Sequence, residues 1–215
     1  MEFNDITYGN PNFQELNFIQ EKGLVDDLFD TLKDKLTYPQ NDSELVKDEL
    51  NEIIDSLGTM TEPENQDYLK RYQSYDRGLS QSLISIFKDK NIEVEELCID
   101  IIKDIQSLIY RLKYYYQRPR PYQIAQYLKL KLFPYKSFSS HTPSFPCGHC
   151  LESFVILNVI GNKYPTQYPF CKELIEDIAY SRIYLGHHYP SDNEGAKEVG
   201  KAILKHPEFV KKYGI

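Results

Sequence analysis

The spacing of apolar positions makes most of this chain helical. In "GLVDDLFDTLKDKL" the residues Leu24, Leu28, Leu32 and Leu36 fall at every fourth position, which predicts an amphipathic helix with one buried stripe. "DSELVKDELNEIIDSLG" repeats the pattern, with Asp42 or Ser43 as its cap and Gly58 as its stop. A longer segment from about Glu64 to Lys90 starts polar and turns apolar towards Leu83, Ile84 and Phe87, so it is expected to run from surface to core. The stretch from Val94 to about Gln117 is the most apolar helix, and "RPRP" ends it because Pro119 and Pro121 cannot continue the backbone ladder. Residues 133 to 146, "FPYKSFSSHTPSFP", read as a Pro- and Ser-rich loop, and a long loop in a compact domain is more often functional than idle. Three helices follow at about 149–162, 171–184 and 192–205. No segment alternates with the period of a strand and no repeat or linker interrupts the chain. The pattern predicts a single all-α helical bundle over residues 1–215.

Composition narrows what such a bundle can bind. Acids outnumber bases 32 to 25, a net charge of −7, which argues against nucleic acid or an anionic membrane surface as partner. Positive charge is local instead. From Ile105 to Leu151 there is no Asp or Glu, while Arg111, Lys113, Arg118, Arg120, Lys129, Lys131 and Lys136 fall inside, enough to line an anion site. The longest apolar stretch, around "FVILNVIG", is well short of the roughly 18 to 20 residues of a membrane span. The first twenty or so residues contain Glu2, Asp5 and Glu15 and no apolar run, so no signal peptide is visible and a soluble, cytoplasmic protein is expected. The four cysteines, Cys98, Cys147, Cys150 and Cys171, are too few and scattered for a disulfide framework and fit a reducing compartment.

Two of them lie in "SFPCGHC", whose Cys-x-x-Cys would suit a thiol-disulfide exchanger with a histidine to hold a thiolate. Such motifs sit between a strand and a helix, and no strand precedes Phe145. Structural zinc fares no better, because it wants four ligands and the nearest other cysteine is Cys171. The same stretch has another use. Gly148 permits a tight turn, and His149 opens a helix whose free N–H groups favour an anion. In "KYYYQRPRP" Lys113 lies near a helix end, and Arg120, held extended by the following proline, can swing its side chain to the same pocket. In "SRIYLGHHYPSD" Pro190 makes a continuous helix unlikely, so His188 is expected in the turn before a helix capped by Ser191, with Asp192 in the first turn reaching back to it. A carboxylate on one ring nitrogen fixes the tautomer and leaves the other free as a nucleophile. Arg182 adds a third cation. His141, His187 and His206 read as bystanders, and Arg118 is undecided.

Taken in order, Lys-x6-Arg-Pro from Lys113 to Pro121, Pro-x-Gly-His from Pro146 to His149, and Ser-Arg-x5-His-x2-Ser-Asp from Ser181 to Asp192 resemble the signature of the type 2 phosphatidic acid phosphatase superfamily. That superfamily includes vanadium haloperoxidases and bacterial class A acid phosphatases. The motif-bearing half is about 105–206, and the downstream "GKAILKHPEFVKKYG" also resembles the class A branch. One position departs from the pattern: Cys147 stands where the family usually has Ser. The resemblance implies an acid phosphatase-type helical bundle and a metal-independent phosphomonoesterase needing no cofactor. In that scheme His188 forms a phosphohistidine, oriented by Asp192, and His149 protonates the leaving alkoxide and then activates water. Lys113, Arg120, Arg182, Cys147 and the Gly148 N–H surround the phosphate. Vanadate is expected as an inhibitor or non-native cofactor. The alternatives are a vanadate-dependent haloperoxidase, a catalytically weakened phosphate-binding or structural protein, and, behind these, a thiol-disulfide oxidoreductase. The expected partner is a small phosphate ester whose identity the residues leave open, as they do assembly into a homo-oligomer.

Overall fold

The computed structural model describes residues 3–215 and contains helices joined by turns and loops. Met1 and Glu2, the latter one of the acids counted against a leader segment, lie outside the described residues. The helices are α1 Phe13–Gln20, α2 Leu28–Leu32, α3 Glu44–Thr61, α4 Gln66–Arg77, α5 Leu79–Lys88, α6 Glu95–Tyr116, α7 Pro121–Tyr127, α8 Gly148–Lys163, α9 Tyr168–Tyr184, α10 Pro190–Ile203 and α11 Pro207–Tyr213. The centre is α8, which packs along α9 and is flanked by α10 and α6. Leu151, Val155, Ile156, Leu157, Val159 and Ile160 are all fully buried, so α8 is apolar around most of its girth, as a central helix must be. α10 approaches α8 over glycine: a Cβ on Gly195 would collide with the Phe145 ring, and one on Gly200 with Phe154.

The stripe Leu24, Leu28, Leu32 and Leu36 does pack on the core, yet only Leu28–Leu32 is helical. The reason is local competition for backbone groups. Asp26 Oδ2 accepts the Gly23 N–H at 2.8 Å and the Leu24 N–H goes to Asp104 O at 2.9 Å, which holds the chain in a turn where a helix would begin. α3 is capped by Ser43, whose hydroxyl accepts the Val46 N–H, but it runs through Gly58 to Thr61. Gly58 is not its stop; Pro63 is, by holding Glu62 extended. The segment from Glu64 to Lys90 is two helices broken at Gly78. Short α1, α7 and α11 lack the length that makes periodicity visible.

Loop 133–146 is tied down at many points. Asp76, from α4, accepts from Ser137 Oγ, the Phe138 N–H and Ser139 Oγ, each at 2.7 Å. Further along, the Ser144 N–H bonds Arg118 O at 2.9 Å, and the Phe145–Pro146 peptide is cis.

Candidate active site

Five helix ends and two connecting segments converge beside this loop. Lys113 is in the last turn of α6, and Gln117 then takes a left-handed conformation, φ 48°, that turns the chain into Arg118–Pro119–Arg120. Pro121 starts α7 at the position where a missing N–H costs nothing. Gly148 and His149 open α8, Arg182 is in the last turn of α9, and α10 starts at Pro190. Ser191 is therefore not the cap; Tyr189 is, and its N–H bonds Asp192 Oδ2 at 3.0 Å.

His188 is 2 % exposed and bonded through both ring nitrogens. Its Nδ1 lies 3.0 Å from Asp192 Oδ2, and Arg120 Nη1 donates to Nε2 at 2.8 Å. The carboxylate accepts the hydrogen bond from Nδ1–H, so the proton sits on Nδ1 and Nε2 carries the lone pair. Asp192 also accepts from Arg118 Nη1 at 2.6 Å and from Ser144 Oγ. Although burial opposes its charge, Arg118 and the His188 bond hold its carboxyl far below the usual carboxylate range. Burial, and then Arg120, keep His188 neutral well below the usual histidine range.

The other cations point inward too. Arg120 Nε donates to Thr142 O at 2.8 Å, and Nη1 also reaches His187 O at 2.9 Å. Burial brings Arg120 down to about 10. Lys113 Nζ donates to Pro143 O at 2.7 Å, and burial with nearby Arg120 lowers its pKa strongly. Arg182 pairs with Asp76 at 3.0 Å and donates to Ser140 Oγ at 3.0 Å, while its Nε has no partner. Gly148 lies against Lys113: a Cβ there would stand 3.6 Å from that side chain, an ordinary van der Waals contact. His149 Nε2 lies 3.2 Å from Tyr75 O, and burial, then Arg182, push it down to about 3. Lys113, Gly148 and His149 line a cavity of ≈ 550 Å³, and buried His188 is near enough for the Lys113 charge to act on it. A buried imidazole with an oriented lone pair beside cations that compete for backbone carbonyls is built to receive a tetrahedral oxyanion.

The family model of the PAP2 superfamily matches residues 100–204. Over this segment the chain is similar to the PAP2 superfamily. The PAP2 match takes in all eight residues singled out in the three motifs and omits α1 to α5. In fold the chain is similar to the crystal structure of the first transmembrane PAP2 type phosphatidylglycerolphosphate phosphatase from Bacillus subtilis, with a TM-score of 0.52 and 17% identity over 88% of this chain and 91% of that one. In contrast to that description, no helix among the described residues is long and apolar enough to cross a membrane. No curated protein matches the chain.

Cys147 stands apart from the other PAP2 motif residues. Its backbone N–H bonds Asp192 O at 3.1 Å, but its sulfur is joined to Cys150 in a disulfide across the first turn of α8. This is a local bridge, while Cys98 and Cys171 are free and buried.

Several residues that shape the site are not among those singled out in the motifs. Arg118 pairs with Asp192 and, at 3.3 Å, with Glu49 of α3. Glu49 also receives the Ser191 N–H at 2.6 Å and Ser191 Oγ at 2.9 Å. Both Glu49 and Asp76 were legible in principle. Glu49 follows Val46 and precedes Leu50 and Ile53, and Asp76 follows Leu69 and Tyr72, so each acid occupies the apolar stripe of its helix. A carboxylate at such a position demands a buried cation. His187 is more than a bystander in position: it is buried in the cluster, and its Nε2 has no partner. His141 is exposed at the cavity, and His206 bonds Asp27 at 3.1 Å.

Proposed function

We propose that the protein is a phosphomonoesterase that passes the phosphoryl group through His188. The observation that carries this reading is the pairing on that ring, Asp192 on Nδ1 and Arg120 on Nε2, at a point where three buried cations meet. A phosphate oxygen is a stronger acceptor than a ring nitrogen, so substrate draws Arg120 off Nε2 and frees the lone pair. Nε2 then attacks phosphorus, a P–N bond forms and the P–O ester bond breaks. His149 gives its proton to the departing alkoxide, takes one from the incoming water, and water displaces His188 to release phosphate. In the free protein His149 is neutral; a bound dianion offsets the repulsion from Arg182 and Lys113 and lets it hold the proton. Lys113, Arg120, Arg182 and the Gly148 N–H meet the equatorial oxygens, where charge grows in the transition state, and each such donor is worth roughly 3 kcal/mol there. The substrate in this reading is a water-dispersed monoester, as for the class A acid phosphatases.

Two outcomes are expected. Hydrolysis of p-nitrophenyl phosphate should persist in EDTA and be inhibited competitively by vanadate, which matches the five-coordinate transition state. Loss of activity on chelation, restored by magnesium or zinc, would sink the metal-free scheme. Inertness towards esters together with peroxide-dependent halide oxidation after vanadate loading would make it a haloperoxidase.

The second outcome concerns Cys147. A serine there would cap α8 and supply an O–H donor stronger than a thiol. The Cys147→Ser enzyme should reach or exceed the wild-type kcat and lose any difference between dithiothreitol-reduced and peroxide-treated samples. An inactive Cys147→Ser alongside an active His188→Ala would move the chemistry to the Cys-x-x-Cys segment.

A further inference from the structure

Beyond its cationic inner end, the cavity carries a carboxyl group with no partner of its own. Glu152 lies on the same face of α8 as Gly148 and His149, one helical turn or about 5 Å along the axis. Its carboxylate has no hydrogen-bond partner among the described residues, and burial pushes it up to about 7 although Lys113 and Arg182 oppose that. Those two cations already donate elsewhere, Lys113 to Pro143 and Arg182 to Asp76 and Ser140. Glu15, the other acid at the cavity, is different: its carboxylate receives the Asn12 N–H at 2.7 Å. The same cavity is lined by aromatic rings, Phe18 and Tyr110, packed at 4.9 Å between ring centroids, and by Phe138.

We propose that Glu152 selects phosphomonoesters whose alcohol carries a cationic nitrogen two or three carbons from the ester oxygen, that is, phosphorylated amino alcohols. The proposal rests on the phosphatase reading above. A substrate phosphate engages Lys113 and Arg182 and thereby removes the charges that offset Glu152. A plain alkyl ester leaves that carboxyl group to take up a proton and go unused, whereas an ammonium one turn away keeps it ionised and pairs with it, and the aromatic rings suit both the carbon spacer and the cation.

The test compares 2-aminoethyl phosphate with propyl phosphate, using p-nitrophenyl phosphate to show that the enzyme is active. The wild type should favour the amino ester in kcat/KM by about tenfold or more, the scale of a charge-assisted bond. In Glu152→Gln the ratio should fall towards one, and in Glu152→Lys it should reverse. Because an amine also makes the alcohol a better leaving group, inhibition of the wild type by the unreactive pair 2-aminoethylphosphonate and propylphosphonate isolates binding. The aminophosphonate should bind about tenfold more tightly. This comparison needs no variant to fold. Equal inhibition by the two phosphonates, or a ratio unchanged in Glu152→Gln, overturns the proposal and leaves the phosphatase reading standing. Failure to hydrolyse any of the three esters overturns the phosphatase reading, and this inference with it.

Discussion

His188→Ala should lower kcat on every phosphate ester by about 10⁴-fold or more, the scale seen when a covalent nucleophile is removed. The fold should survive the change. Asp192 loses one donor but keeps Arg118, Ser144 and the Tyr189 N–H, so no buried charge is stranded. Thermal unfolding close to that of the wild type, with vanadate still bound through the cations, would show that chemistry and not architecture was lost. His149→Ala should behave differently. It removes a proton donor, so alkyl phosphates should suffer far more than p-nitrophenyl phosphate, whose phenolate leaves unaided. Substantial turnover in His188→Ala, or equal losses on both esters in His149→Ala, would contradict the assigned roles.

Arg118→Met should cost the fold about 3 to 5 kcal/mol, because it strands two buried carboxylates, Asp192 and Glu49, without their shared cation. For a chain of this size that is a fall in Tm of roughly 10 °C. The loss should depend on pH. Asp192 has a folded pKa held below its unfolded value, so its stabilisation is present above the ordinary carboxylate range, about 4, and fades as pH falls through the depressed folded value. Without Arg118 the folded value rises, and the acid limb of the stability curve should move to higher pH. Adding Glu49→Gln should recover part of the loss by removing one stranded charge. A Tm for Arg118→Met within a degree or two of wild type would mean that this ion-pair network contributes little.

What could be read beforehand follows from range along the chain. Lys113, Arg120, Gly148, His149, Arg182, His188 and Asp192 each sit at or beside a helix end, so local chemistry indicated where the chain turns, and the joint resemblance of the three motifs singled out the side chains. The helical nature of the long apolar segments was legible for the same reason. Glu49 and Asp76 were overlooked because their partners lie 69 and 106 residues away, and only an acid on an apolar stripe hinted at them. The Leu24–Leu36 stripe shows the converse error: periodicity reports burial, and a single Asp26 side chain was enough to replace helix by turn. Loop 133–146 could be named but not shaped, since Asp76, Lys113 and Arg120 shape it from outside.

The pairing of Glu49 with Arg118 and of Asp76 with Arg182 bears on how this chain can change over time. Each arginine belongs to the stretch shared with the superfamily, and each acid to helices outside that stretch. Part of the charge on these buried arginines is thus balanced across the two halves, and neither can drift freely. A relative could replace α3 or α4 wholesale only by bringing its own carboxylate to the same place. Glu49 and Asp76 are therefore the positions of the N-terminal half that relatives should keep.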